Sequence, residues 1–500
     1  MRKSIILLVL LLSLGCQQDV VLTPSHPSIG SMYSESGFWM GGSPESGFGD
    51  RYNDFQENPF VSVADVPVST FSIDADGGSY ANVRRFISEG RIPPPEAIRT
   101  EELINYFPLD YPNSTDGHPI ALSGEISVCP WNTQHHLIRI GIKGNNIPKD
   151  QLPPSNIVLL IDVSGSMASP DKLELLKSGF QLMVKEFTSS DRISIVTYAG
   201  ESSVALPSTP GHEKFRIIAT IKSLGAGGST AGAQGIITAY TIAEENFIEG
   251  GNNRVILATD GDFNVGLSSE EELVALIEEK REAGIFLTTV GVGRGNYNEA
   301  MLEQVANHGN GTYEYIDDLQ QARKVFVDEY YKFYPAAKDV KVQVAFNPDL
   351  VEAYRLIGYE NRLLDEEDFE DDKKDAGEIS IGQNVTALYE IKPAASGPAY
   401  RSNPTFTIDF RYKLPYGNEG IPLSLDIFNE GKSFAEASEH MRFAAAVAGF
   451  GMLLRDSPYK GSVTYKDVVK WTEGARSFDP YDRRATFIEV VRQAQALDSE

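Results

Sequence analysis

The stretch Asn156-Ile-Val-Leu-Leu-Ile-Asp162-Val-Ser164-Gly-Ser166 decides how the rest of the chain is read. The apolar run Ile157 to Ile161 has no polar face, the pattern of a strand covered on both sides of a sheet. It stops at Asp162, and hydroxyls follow at alternate positions. Asp162, Ser164 and Ser166 thus gather three oxygen donors on one tight turn, with Gly165 permitting the bend. Hard cations such as Mg2+ take oxygen ligands in near-octahedral geometry and retain several waters. The same residues also suit a loop that merely caps a turn or a helix, a role that Asp and Ser often fill.

Outward from this run, residues 155–334 alternate two periods. Nearly continuous apolar strands at 156–162, 192–199, 254–260 and 285–292 are separated by amphipathic helical stretches at 171–187, 232–247 and 269–283, with another at 298–308. A closing strand, Thr312–Ile316, and a helix from Asp317 to Phe333 complete the set. Alternating β and α elements of this length predict a doubly wound parallel sheet, an α/β fold. Such sheets bind ligands outside the C-terminal ends of their strands. Asp162 and Asp260 both fall at strand ends of this kind. Thr230, in Gly225-Ala-Gly-Gly-Ser-Thr230, follows a further segment of the pattern, and Gly227-Gly228 let that loop approach closely. Asp262 and Asn264 are extra oxygen donors, better suited to turn or outer-layer roles than to direct ligation.

Read together, Asp162, Ser164, Ser166, Thr230 and Asp260 resemble the metal-ion-dependent adhesion site of a von Willebrand factor type A domain. The resemblance implies a Rossmann-like α/β domain that binds Mg2+, with Mn2+ or Ca2+ as alternatives. It also implies that Asp162 and Asp260 act largely through bound waters. Hydroxyl ligands neutralise no charge, so such an ion stays electrophilic, and a carboxylate from a protein partner can fill its open position. The likeness extends beyond this domain. Ser69-Thr-Phe-Ser-Ile-Asp-Ala-Asp76, Glu101-Glu-Leu-Ile-Asn-Tyr-Phe107, Pro130-Trp-Asn132, Thr259-Asp-Gly-Asp-Phe-Asn-Val-Gly266 and Tyr354-Arg-Leu-Ile-Gly-Tyr-Glu-Asn-Arg362 are similar to a bacterial lipoprotein family, as is Asp375-Ala-Gly-Glu378. That family carries a von Willebrand N-terminal region, a type A domain and a C-terminal region of unknown function. The match runs from about residue 59 to the end and implies an architecture more firmly than an activity.

The flanks support that organisation. Residues 59–150 and 338–430 are strand-rich, and 431–500 is helical, with stretches at 433–455 and 484–497. The expected architecture is a β-rich body with the type A domain, 155–334, inserted. Residues 1–16 read as an export signal, with Arg2-Lys3 before an apolar run too short to span a bilayer. Gly15-Cys16 resembles a lipobox, in which Cys16 would be lipidated; Leu is usual where Ser13 stands, and an ordinary secretory signal is the alternative. The Gly-, Ser- and Pro-rich segment 17–58 has the composition of a flexible tether. The expected location is the bacterial cell envelope, on a lipid anchor, with Gln17 favouring an outer membrane where there is one.

Charge and cysteine content exclude other classes. With 44 Lys and Arg against 70 Asp and Glu, the net charge of −26 argues against nucleic acid as a partner. With Cys16 lipidated, or removed with an ordinary signal, only the Cys129 thiol would remain, so no internal disulfide is expected, and its strand-like context makes it a small core hydrophobe. His135-His136 alternate across a strand and do not form a joint metal site. No G-x-x-x-x-G-K-[ST], G-x-S-x-G or H-E-x-x-H motif occurs, and Gly291-Val-Gly-Arg-Gly295 lacks dinucleotide spacing. The reading is a non-enzymatic, envelope-anchored protein that binds a protein ligand through Mg2+. The alternatives are a hydrolase-type enzyme and a regulatory partner of an envelope machine.

Overall fold

The computed structural model describes residues 52, 55–73, 76–228, 233–261, 270–294, 299–374, 376–394 and 403–499. The export signal, Cys16 and most of the tether lie outside the described residues, as do Asp74, Thr230, Asp262, Asn264 and Asp375. Residues 55–58, assigned to the tether by composition, are instead seated on the folded body. The Asn58 side-chain amide donates to the carbonyls of Leu356 and Gly358, and the Ser457 hydroxyl donates to Glu57.

The chain first lays down strands β1 (Val61–Ser62) and β2 (Val68–Ser72), then helices α1 (Gly78–Ser88) and α2 (Thr100–Asn105). A short 3-10 turn spans Pro95–Ala97, and Ile98 and Arg99 are extended before α2 begins. That extension lets the buried Arg99 guanidinium meet Glu102 and Glu303. Strands β3 (Ile120–Val128) and β4 (His136–Gly144) follow.

The α/β domain then begins with β5 (Ser155–Asp162), α3 (Leu173–Glu186), β6 (Arg192–Ala199), β7 (Glu201–Pro210) and α4 (Lys214–Ser223). It continues with α5 (Ala233–Glu245), β8 (Asn252–Thr259), α6 (Glu270–Glu282), β9 (Ile285–Val292), α7 (Glu299–His308) and β10 (Tyr313–Ile316). Its six-stranded sheet has the order β10-β9-β8-β5-β6-β7. Five strands are parallel, but β7 runs antiparallel to β6, so the sheet is mixed rather than wholly parallel. Only Gly200 separates β6 from β7, far too little chain for the crossover that a parallel pair needs. Alternate residues of β5 divide between two cores. Val158 and Leu160 pack with α5 and α6 on one face, while Ile157, Leu159 and Ile161 pack with α3 and α4 on the other. The strand order turns at β5, so the C-terminal ends of β5 and β8 border the crevice where such sheets bind ligands.

The helix expected over 317–333 is three short pieces: α8 (Leu319–Arg323), a π turn over Lys324–Asp328 and a 3-10 turn over Tyr330–Phe333. The wider π turn brings Lys324 and Glu329, five residues apart, to 2.7 Å, pairing a lysine ammonium that is otherwise buried.

Strands β11 (Pro335–Phe346), β12 (Val351–Ile357), β13 (Leu363–Leu364), β14 (Gly377–Ser380), β15 (Asn384–Pro393), β16 (Phe406–Lys413) and β17 (Ile421–Ile427) then return to the β-rich body. They complete two antiparallel sheets, β1-β12-β15-β4-β3 and β13-β2-β11-β16-β17, with β14 also on β11. Each sheet mixes strands from before and after the α/β domain: Ser69 stands opposite Val344, and Arg139 opposite Leu388. The α/β domain is therefore an insertion in a β-rich domain. Helices α9 (Glu439–Leu454), α10 (Tyr465–Glu473) and α11 (Arg483–Leu497) close the chain. They share a second core with α1 and α2, built on Tyr80, Phe107, Phe443 and Phe487.

Candidate metal centre

Asp162 is the last residue of β5 and is fully buried. The chain turns back on its carboxylate, so that the backbone N–H of Ser164 donates to Asp162 Oδ1 at 2.8 Å. The Thr259 hydroxyl, at the end of β8, donates to the other oxygen at 3.1 Å. The Ser164 and Ser166 hydroxyls lie 2.9 Å apart, Ser164 buried and Ser166 exposed. Burial raises the Asp162 carboxyl above its ordinary range, the Ser164 N–H opposes that rise, and Asp260 adds to it.

The glycine-rich loop that leads towards Thr230 is stitched to this turn by two backbone hydrogen bonds. Gly227 N–H donates to Val163 O at 2.7 Å, and Gly165 N–H donates to Gly228 O at 3.1 Å. Gly228 has φ +92°, and a Cβ there would stand 3.3 Å from Ala199 O. Thr230 itself lies outside the described residues, which follow this loop as far as Gly228. Asp260 follows β8 and is also buried. Its Oδ2 accepts a hydrogen bond from Lys172 Nζ at 2.8 Å. Its Oδ1 is buried and has no hydrogen-bond partner among the described residues.

Of the five residues expected from sequence, four are therefore described. Asp162, Ser164 and Ser166 share one turn, and Asp260 ends the strand beside it. The set offers two buried carboxylates and two hydroxyls, with one carboxylate oxygen that no described residue satisfies. A buried carboxylate is costly unless it is paired or coordinates a cation. The donor chemistry fits a hard divalent ion. Among the described residues no cluster of three or more His, Cys, Asp or Glu has metal-holding geometry.

The sequence comparisons agree with the fold. A model of the von Willebrand factor type A domain matches residues 156–327, and one described as von Willebrand factor matches 47–139. A third, described as the C-terminal part of the uncharacterized protein YfbK, matches 332–497. The chain is 42% identical over 470 residues to the uncharacterized protein YfbK of Escherichia coli (strain K12), covering 89% of this chain and 81% of that protein. The chain belongs to the YfbK family of type A domain proteins. Inter-alpha-trypsin inhibitor heavy chain H3 of Homo sapiens is 30% identical over 182 residues, covering 33% of this chain and 20% of that protein. A solved von Willebrand factor type A structure from Catenulispora acidiphila aligns with 76% of this chain and 91% of its own, at 14% identity and a TM-score of 0.42. A type A domain points to a protein-interaction or adhesion role, and proteins built on one are generally non-enzymatic.

Two residues at the type A centre were missed from sequence. Lys172 stands at the position just before α3, caps nothing there with its side chain, and reaches Asp260 instead. Arg294, just after β9, pairs with Glu89 at the end of α1 and approaches Asp171 at 3.4 Å. Arg294 thereby ties the N-terminal region to the rim of the site. Lys172 carried a legible signal: a cation at a helix N-terminus opposes the helix dipole and needs a partner elsewhere. Arg294 carried none. Away from the site, Cys129 is buried, and burial pushes its thiol far above the ordinary range, with Glu390 adding to the effect. A thiolate nucleophile is disfavoured there.

Proposed function

We propose that this chain is an envelope-anchored binding protein whose type A domain holds Mg2+ between Asp162, Ser164, Ser166, Thr230 and Asp260. Mn2+ or Ca2+ are the alternative ions. Through the ion it binds a carboxylate of a protein ligand. The observation that carries this reading is the Asp260 side chain, which is buried at a strand end beside Asp162 and keeps one oxygen without a hydrogen-bond partner among the described residues. A divalent ion would satisfy that oxygen and the two serine hydroxyls at once. Because hydroxyls leave its charge intact, the ion would supply a strong electrophile for an incoming carboxylate. The protein's own part is to hold the donors: Ser164 N–H and Thr259 Oγ1 fix the Asp162 carboxylate, and the Gly227 and Gly228 bonds fix the loop before Thr230. Lipidation at Cys16 and the segment beyond it would place the domain on a leash at a membrane surface.

The test is a pull-down from envelope extract with the wild type and Asp162→Ala, in Mg2+ and in chelator. Prey lost to the same extent in the mutant and in chelator is the expected result. Prey kept in both sinks the metal-bridged mechanism.

A further inference from the structure

Lys172 is placed as if by design against the ion-binding carboxylate. Its ammonium donates to Asp260 Oδ2 at 2.8 Å, from a side chain that is 12% exposed to one that is wholly buried. Its aliphatic stem lies across Gly293, at the end of β9. A Cβ on Gly293 would stand 2.3 Å from Lys172 Cε, 2.7 Å from Cγ and 2.9 Å from Cδ. Gly293 also has φ +83°, a conformation that side chains rarely adopt. The groove that guides the lysine therefore depends on that glycine. The helix gives the lysine no reason to be there: at the N-terminus of α3 the helix dipole repels a cation.

We propose that Lys172 is an internal cation for Asp260, competing with the divalent ion and setting the affinity of the site. The inference rests on the metal reading above. With Lys172 in place, the two aspartates and the ammonium carry a net charge of −1. A divalent ion bound beside it would meet a like charge within a few ångströms, in a poorly solvated setting. Ion binding and release of the ammonium are thus coupled. The apparent dissociation constant is the intrinsic one divided by the fraction of molecules in which Asp260 is free. Arg294, which is 56% exposed, directly follows the Gly293 that the lysine stem crosses, so a released ammonium would add to the positive charge of this rim. Loading the ion therefore also frees a positive charge where an anionic ligand arrives.

Metal-stripped protein is titrated with Mn2+ by calorimetry, with melting temperature measured in chelator and in Mn2+. Lys172→Met is expected to bind Mn2+ at least ten-fold more tightly than the wild type. Its melting temperature should fall in chelator, where Asp260 loses its counter-charge, and rise more on adding Mn2+. If Lys172→Met does not fold, Lys172→Gln carries the same expectation. Equal or weaker Mn2+ binding in the variant overturns the competition and leaves the metal site standing. No Mn2+ binding by either the wild type or the variant overturns both readings.

Discussion

The backbone N–H of Gly227 donates to the carbonyl of Val163 at 2.7 Å, joining two loops that lie more than sixty residues apart in sequence. The reciprocal bond from Gly165 N–H to Gly228 O makes the two turns one unit. The loop before Thr230 cannot shift without shifting the Ser164 and Ser166 turn. Gly228 is the weak point, because its φ of +92° suits glycine alone and an added Cβ would crowd Ala199 O at 3.3 Å. Gly228→Ala is expected to cost about 1 kcal/mol or more. Denaturant midpoints would show that loss, and Mn2+ titration would show weaker binding at the same time. Unchanged values in both would mean that the loop tolerates the side chain.

A second link joins the N-terminal region to the inserted domain. Arg84 on α1 grips Asp317, just past β10, through Nη2–Oδ1 at 2.5 Å and Nε–Oδ2 at 3.0 Å. Both side chains are largely buried, so removing one leaves the other's charge uncompensated. Arg84→Ala is expected to cost about 3 kcal/mol. Asp317→Ala should cost a similar amount, and the double mutant much less than the sum, as a double-mutant cycle would measure. Additive losses would show that the pair does not couple the two regions.

How much of this was legible depended on which residues share a face and which share a partner. The strand Ile157–Ile161 could be read directly, because burial on both sides leaves an unbroken apolar run. Edge strand β7 could not: Ser202, Ser203 and Pro207 are partly or wholly exposed and look like a loop. The insertion was inferable from strand character returning at residue 338, but the pairing of Ser69 with Val344 was not. A period-2 pattern specifies a face and leaves the neighbouring strand open. At the site, Asp162, Ser164 and Ser166 were read from local spacing. The Lys172–Asp260 contact spans 88 residues and exists only once α3 and β8 converge.

Acid should loosen the junction between the type A domain and the C-terminal helices. Burial alone would raise the Glu329 carboxyl, but Lys324, Lys332 and Arg483 pull it down to about 2. Arg483 opens α11, so this cluster fastens the last turns of the α/β domain to the C-terminal region. The folded-state value lies below the unfolded one, so the stabilisation is full above the ordinary carboxylate range and is lost as pH falls towards 2. Glu329→Gln is expected to cost about 3 kcal/mol at pH 7, by leaving buried ammonium groups short of a counter-charge. The gap from wild type should close as pH falls from 5 to 2, as acid-denaturation midpoints would record.

Glu360 should behave in the opposite sense. It is buried near Arg455, at 3.7 Å, where the end of α9 meets the β-rich body. Burial and then the neighbouring Glu101 carboxylate push its carboxyl up to about 8, with Arg455 opposing. The folded state therefore holds a proton that the unfolded chain gives up near pH 4.5. Between those two values the native protein binds more protons, so stability falls as pH rises, and the loss is complete above about 8. Glu360→Gln keeps the neutral form at every pH. It is expected to match the wild type near pH 5 and to exceed it at pH 9, in urea unfolding followed at both values. If the mutant instead loses stability equally at both, Glu360 is ionised in the native protein and serves as the partner of Arg455.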